Sequence, residues 1–333
     1  MSEFSNFLGI DVSKEYFDAV IIIDNDKSNT VHNQFMNNNK GIKELIKWMK
    51  SLKSDSLNTL VCLEHTGMYG KIIVQHLLSK EFKLWVEMSL KIIRSIGVQR
   101  GKNDKIDAER IALYAMKNQA EADIYQAPRK VISQIKKMIS LREHLITTKA
   151  MLLRNSNELK TFEPELAKLH EKHSKATVKG IETDLKSIEK ELDTLIKSDE
   201  SLANLFEKAT SVTGVGKVTA LFLICFTNEF KMYDTPRQLA CYCGVVPFEY
   251  TSGKSVRAKP RVHYMANKKL KKQLHMCAMS SITADGELKE YYQRKVAEGK
   301  NKMLVINNIR NKLIHRICAC IRNNKVYEKR NVA

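Results

Sequence analysis

Asp104 and Asp107 stand three residues apart in the stretch Gly101-Lys102-Asn103-Asp104-Lys105-Ile106-Asp107-Ala108-Glu109-Arg110. Ile106, Ile111 and Leu113 with Ala108, Ala112 and Ala115 give this stretch an apolar face, so it opens a helix. At that spacing the two carboxylates share one face of the first turn. Side by side they repel, and they persist best beside a divalent cation; a helix N-terminus also favours negative charge. Read alone, the pair is an N-cap aspartate followed by a solvated acid. Two more acids shift that reading, because Asp11 and Glu64 each stand at the end of an apolar run.

The elements that must position these acids follow from hydrophobic pattern. Residues 7–12 read as a short buried strand ending near Asp11, and residues 60–64 as another ending at Glu64. Residues 16–23, 30–36 and 82–86 are further strands, with a turn at Asp24-Asn25-Asp26. Ile42, Leu45, Ile46 and Met49 recur at helical spacing, and helices are predicted over 69–79, 89–98 and 104–118. Three hairpin-like strands followed by alternating strands and helices is the pattern of an RNase H-like (RuvC-like) α/β domain. In such a sheet the ends bearing Asp11, Glu64, Asp104 and Asp107 converge. Four carboxylates cannot all stay ionised there without cations, and oxygen ligands of this kind hold Mg²⁺ or Mn²⁺. Two ions roughly 4 Å apart would stabilise the attacking and leaving oxygens of a phosphodiester transfer.

Pro128 marks a boundary, and helical heptads follow it. Met138, Leu145, Leu152 and Leu159 recur every seven residues, as do Leu141, Thr148, Asn155 and Phe162. Pro164 and the polar Glu171-Lys172-His173-Ser174 are predicted to break the helix. A second seam runs through Ile181, Ile188, Leu195 and Leu202 with Leu185 and Leu192. These two long helices form either an antiparallel hairpin or a dimerising coiled coil.

Ser211-Val212-Thr213-Gly214-Val215-Gly216-Lys217 lies between two predicted helices and resembles the turn of a helix-hairpin-helix. In that motif glycine backbone N–H groups and the positive helix end approach a DNA phosphate, which makes Gly214, Gly216 and Lys217 candidate contacts. An ordinary glycine C-cap between packed helices is the other reading. The motif is not a P-loop, which needs Gly at Ser211 and Ser or Thr at Val218. Gly244-Val245-Val246-Pro247 then turns the chain, and residues 267–280, 287–298 and 301–323 read as basic helices.

Composition bounds the partners. The 333 residues carry a net charge of +19. From Gly253 onward there are 20 Lys and Arg against 5 Asp and Glu, so 15 of the 19 surplus charges lie in the last quarter. A basic surface of that size suits a polyanion such as nucleic acid, with Lys254, Arg257, Lys259, Arg261, Lys268 and Lys269 as candidate contacts. The seven cysteines lack zinc-site spacing and read as reduced, mainly core residues of a cytoplasmic protein. No run reaches the roughly 18 apolar residues of a membrane span, and the N-terminus has no signal-like pattern.

These residues together carry a resemblance to the DEDD transposases of the insertion-sequence 110 family, which includes site-specific DNA invertases. Gly9-Ile10-Asp11-Val12-Ser13-Lys14 resembles the family's opening motif, Glu64-His65-Thr66-Gly67 its second, and Lys102-Asn103-Asp104-Lys105-Ile106-Asp107-Ala108 its third. Gly214-Val215-Gly216, the 244–247 turn and Ser252-Gly253 resemble its C-terminal transposase domain. The resemblance implies a RuvC-like metal-binding domain over residues 1–125, a coiled-coil linker or dimerisation region over 126–205, and a C-terminal transposase domain over 206–333. It implies that Ser252 is a nucleophile forming a phosphoserine with DNA, beside catalytic, metal-binding Asp11, Glu64, Asp104 and Asp107. It further implies a structured guide RNA, donor and target DNA, a homo-oligomer and a bacterial, nucleoid-associated setting. The chain departs from the family where Ala266-Asn267-Lys268-Lys269-Leu270-Lys271 replaces a glycine-asparagine pair followed by Leu-Arg. Without the serine chemistry, the same carboxylates would make a metal-dependent nuclease of the junction-resolving kind.

Overall fold

The computed structural model describes residues 4–65, 67–97, 103–252 and 256–328, and at positions 96, 250, 252 and 256–259 the backbone alone. Thr66, Gly101, Lys102, Gly253 and Lys254, singled out above, lie outside the described residues. The chain divides into two compact units, Met1–Ala127 and Pro128–Ala333.

The first unit runs β1 (Asn6–Val12), β2 (Tyr16–Ile23), β3 (Asp26–Met36), α1 (Asn39–Ser51), β4 (Thr59–Glu64), α2 (Lys71–Leu78), β5 (Lys83–Glu87), α3 (Ser89–Ile96) and α4 (Asp104–Lys117). Its sheet has the order β3-β2-β1-β4-β5. β1, β2 and β3 are antiparallel neighbours, while β1, β4 and β5 are parallel. Asp24 and Asn25, at φ 57° and 56°, close the β2–β3 hairpin with the left-handed residues that a two-residue turn needs. β3 begins at Asp26, four residues earlier than apolar content indicated: Asp26 pairs with Ile23, and the exposed residues 27–29 bulge from the ladder before Thr30 pairs with Ile22.

Side chains alternate across this sheet with period two. Leu8, Ile10, Phe17, Ile21, Val61 and Leu84 pack with Ile42, Leu45 and Met49 of α1 and Ile73 and Leu77 of α2. Phe7, Val20, Ile22, Leu60, Cys62 and Trp85 pack with Ala108, Ile111 and Ala112 of α4. The central strands are buried on both faces, which is why they read as unbroken apolar runs.

The second unit contains α5 (Lys130–Phe162), α6 (Pro164–Lys197), α7 (Glu200–Ser211), α8 (Lys217–Phe226), α9 (Pro236–Tyr242), β6 (Phe248–Ser252), β7 (Val256–Arg261), α10 (Lys268–Ala284), α11 (Gly286–Ala297) and α12 (Lys302–Arg322). Its core gathers on α8, where Thr219 to Cys225 are all buried. Ile132, Ile135 and Ile139 of α5, Ile188, Leu192 and Ile196 of α6, and the apolar faces of α10 and α12 share that core.

α5 and α6 pair within the chain as an antiparallel hairpin. The helix breaks at Pro164 as expected: α5 ends at Phe162, and Pro164 occupies the first turn of α6, where its missing N–H is harmless. Two expectations are corrected there. The Glu171–Ser174 stretch continues the helix without a break. The row Leu141, Thr148, Asn155, Phe162 faces away from the seam, with Leu141 51% and Phe162 83% exposed. The row that faces α6 with Met138, Leu145 and Leu152 is offset by four and is polar. Arg142 bonds Glu189, Lys149 bonds Glu182, and Ser156 bonds His170. The seam of α6 is as expected, with Ile181, Ile188 and Leu192 buried.

The β6–β7 ribbon follows the 244–247 turn, in a stretch to which the sequence pattern assigned no element. Val256-Arg257-Ala258-Lys259-Pro260-Arg261 lacks apolar alternation, and Phe248 is 49% exposed, so little burial marks these strands. All seven cysteines are free thiols, six of them buried. Among the described residues no helix is long and apolar enough to cross a membrane.

Candidate active site

β1 and β4 deliver two acids to the same place. Ile10 pairs with Leu63 in parallel register, so Asp11 and Glu64 come next on adjacent strands. Asp11 also faces Asp18 across β2, and Glu64 faces Glu87 across β5. Paired positions share a face, so Asp18, Asp11, Glu64 and Glu87 form a row across four strands, on the α4 side.

The outer two acids of that row are matched by donors. Asp18, 3% exposed, binds His32 Nε2 at 2.6 Å and Gln34 Nε2 at 3.0 Å. Glu87 accepts from Lys91 Nζ at 2.7 Å and from Tyr114 Oη at 3.2 Å. Among the described residues the inner two have no cation: Glu64 accepts only the Ser89 hydroxyl, at 2.5 Å, and Asp11 has no side-chain donor. Sequence reasoning missed Asp18 and Glu87. Glu87 carried the same signal as Glu64, an acid closing the apolar run Leu84-Trp85-Val86.

α4 brings the other two carboxylates. Gly9, one side chain before Asp11 on this face, lets the helix backbone lie directly on β1. A Cβ at Gly9 would stand 2.2 Å from Ala108 O and 2.3 Å from Ala112 N. Ala108 and Ala112 are the small residues that complete this approach. Asn103 caps the helix by accepting the Ile106 N–H, so neither Asp104 nor Asp107 serves as the cap. Tyr16 Oη donates to Asp104 Oδ2 at 3.2 Å, and Arg110 Nη1 donates to Asp107 Oδ1 at 2.7 Å.

The electrostatics follow from this convergence. Burial first, and then the charges of Glu64, Asp104 and Asp107 in that order, together raise the Asp11 carboxyl to about 6. The other three predicted carboxylates therefore all act on Asp11. Among the described residues no three such side chains already stand close enough to share one ion. The donor set itself, oxygen-only and anionic, fits a hard divalent cation such as Mg²⁺ or Mn²⁺. His65 is exposed and engages the sheet only through its backbone N–H, which donates to Glu87 O.

The remaining candidates belong to the second unit. Ser252 ends β6, with its backbone paired to Val256, and Arg257 and Lys259 lie on β7. Arg261 and Lys268 are exposed. Lys269 is tied to Glu143 at 2.6 Å and Lys217 to Asp193 at 2.6 Å. The two hairpin glycines differ. Gly214, at φ +88°, lies against α10, where a Cβ would stand 2.6 Å from Ser281 Cβ and 2.8 Å from Cys277 O. Gly216 caps α8 and is open to solvent.

A mixed five-stranded sheet of this order, with acids gathered at the strand ends beneath α4, is an RNase H-like domain. Residues 8–162 match the family model of the DEDD transposases of IS110 elements. Residues 207–293 match that of the Transposase IS116/IS110/IS902 family. The chain is similar to the pilin gene-inverting proteins of Moraxella bovis and Moraxella lacunata, each 24% identical over 97% of this chain and 98% of the relative. It is also similar to an uncharacterised protein of insertion element IS110 from Streptomyces coelicolor, 30% identical over 36% of this chain and 30% of the relative. The chain thus belongs to the IS110 family of DEDD transposases and is a DNA transposase or recombinase.

Proposed function

We propose that the chain cuts, exchanges and rejoins DNA strands to move its own element, with Asp11, Glu64, Asp104 and Asp107 holding divalent metal and Ser252 as nucleophile. The observation that carries the metal reading is the uncompensated inner pair of the acid row, Asp11 and Glu64, beneath the acidic first turn of α4. Mg²⁺ or Mn²⁺ held there supplies positive charge at the attacking and leaving oxygens of a phosphodiester. The protein's own groups do the rest. Ser89, Tyr16 and Arg110 each fix one carboxylate oxygen of Glu64, Asp104 and Asp107. Ser252 Oγ attacks phosphorus, its proton passes to solvent, and one ester oxygen of the DNA strand leaves. Support for the serine reading is its place inside the stretch 207–293 that matches the family's transposase model and at the end of β6 in a basic ribbon. A structured guide RNA and a homo-oligomer complete the reading, and the surplus of 15 positive charges after Gly253 is of the size that phosphate binding by such partners requires.

The test is a covalent-adduct assay on protein expressed with its element's flanking DNA. Wild type mixed with end-containing DNA and Mg²⁺ is expected to give a protein–DNA adduct on a denaturing gel, and Ser252→Ala none. Metal-dependent cleavage by both proteins without adduct would instead make the chain a hydrolytic nuclease of the junction-resolving kind. A finer readout concerns Ser89. With its hydroxyl removed, Glu64 loses its one side-chain donor among the described residues. Ser89→Ala is expected to fold normally and to need roughly 10-fold more Mg²⁺ for half-maximal cleavage. An unchanged Mg²⁺ requirement would remove Ser89 from this role.

A further inference from the structure

Arg310, on α12, is 6% exposed and has no carboxylate partner among the described residues. Its Nη2 donates to His275 Nδ1 at 2.6 Å, and its Nη1 reaches Asn307 Oδ1 only at 3.5 Å. Its Nε, buried, has no acceptor. Other arginines of this unit are answered by acids. Arg129 meets Asp199 and Glu229, Arg142 meets Glu189, and Arg316 meets Asp285 and Glu287. A buried guanidinium left without an anion is strongly unfavourable, and replacing such a charge with an apolar side chain is commonly stabilising. Arg310 therefore weakens the unit it is buried in, the usual mark of a residue kept for binding.

The neighbours extend the same character. An arginine only donates, so His275 must accept at Nδ1 and carry its proton on Nε2. Burial and the Arg310 charge both hold this imidazole below its usual range, and so neutral. His275 is partly exposed, and its Nε2–H is the donor left for a ligand. Lys271, one turn earlier on α10, lies against Gly244. Asn307, one turn before Arg310, donates to Val245 O at 2.6 Å. The three basic side chains therefore stand at the foot of the Gly244–Pro247 turn that leads into β6. They offer N–H donors and positive charge with no acid among them.

We propose that Arg310, His275 and Lys271 form a binding site for a nucleic-acid phosphodiester on the C-terminal unit. Arg310 supplies the charge and His275 a directed hydrogen bond, while Lys271 closes the rim. The proposal rests on the reading that this chain binds nucleic acid. The phosphate can belong to DNA or to RNA, and the two are separated by experiment.

Full-length protein is titrated against a labelled duplex DNA of roughly 30 base pairs, and separately against a structured RNA of similar charge, over a range of salt. Arg310→Met is expected to bind one of them about 10-fold more weakly, with the salt slope reduced by about one, and to melt at the same or a higher temperature. His275→Gln, at a partly exposed site, is expected to lose about 3-fold in affinity for the same nucleic acid with its fold intact. Loss on DNA alone assigns the phosphate to DNA, and loss on RNA alone to RNA. Wild-type affinity and salt slope in both folded variants would overturn the site. If Arg310→Met fails to fold, His275→Gln with Lys271→Gln decides, and wild-type binding by that double variant overturns it. Wild type that binds neither probe would instead overturn the nucleic-acid reading, and this site with it.

Discussion

Asp11→Asn is expected to lower DNA cleavage by about 1,000-fold or more while leaving DNA affinity within about threefold of wild type. A thousandfold is about 4 kcal/mol of transition-state stabilisation, within the several kcal/mol that metal-held charge contributes to phosphoryl transfer. Asp11 is the centre of the group, since Glu64, Asp104 and Asp107 all act on its carboxyl and no side chain donates to it among the described residues. An amide of the same shape keeps the packing and removes the charge. Stability should move the other way. Removing one of four repelling carboxylates relieves the fold, so in chelator the variant is expected to melt at or above the wild-type temperature. Added Mg²⁺ should raise the wild-type midpoint and leave the variant's nearly unmoved. Cleavage assays with a DNA-binding control and thermal melts with and without Mg²⁺ measure all of this. Normal cleavage by Asp11→Asn would end the metal reading, and Asp104→Asn is expected to behave alike.

Gly9→Ala is expected to be among the most damaging single-methyl changes in the first unit. The new Cβ would meet Ala108 O and Ala112 N at 2.2 and 2.3 Å, and both are backbone atoms of a regular helix. Neither can rotate aside as a side-chain end would, so α4 must lift from β1. Overpacking with backbone displacement costs about 3 kcal/mol or more, a fall of roughly 10 °C in melting temperature. The same displacement carries Asp104 and Asp107 away from Asp11, so cleavage should fall even in the folded fraction. Gly216→Ala is the control, since a Cβ there meets nothing within 4 Å. A Gly9→Ala midpoint within about 2 °C of wild type would refute the close-contact argument.

Much of the first unit was legible because its burial is two-sided and local. Asp11 and Glu64 stand out as acids closing strands that are otherwise apolar, and Asp104 and Asp107 as a spaced pair opening a helix. Asp18 and Glu87 were equally visible as residues, yet their place in the row depends on which strands pair and in what register. That is long-range information. The α5 seam failed for a related reason. Heptad counting follows apolar residues, whereas Arg142, Lys149 and Ser156 face α6 through ion pairs and a hydrogen bond that no periodicity of hydrophobicity marks.

By itself, then, the amino-acid sequence determined the elements of the first unit, the RNase H-like class, the four candidate carboxylates and the basic C-terminal quarter, because each is written in residue type and short spacing. Tertiary structure alone decided that Gly9 is the contact on which α4 rests, that the outer acids of the row are matched by donors while, among the described residues, the inner two have no cation, and that Arg310 lies buried beside His275 without a described acid. These depend on which atoms from distant segments meet, and steric exclusion and charge pairing act only once the chain has brought them together.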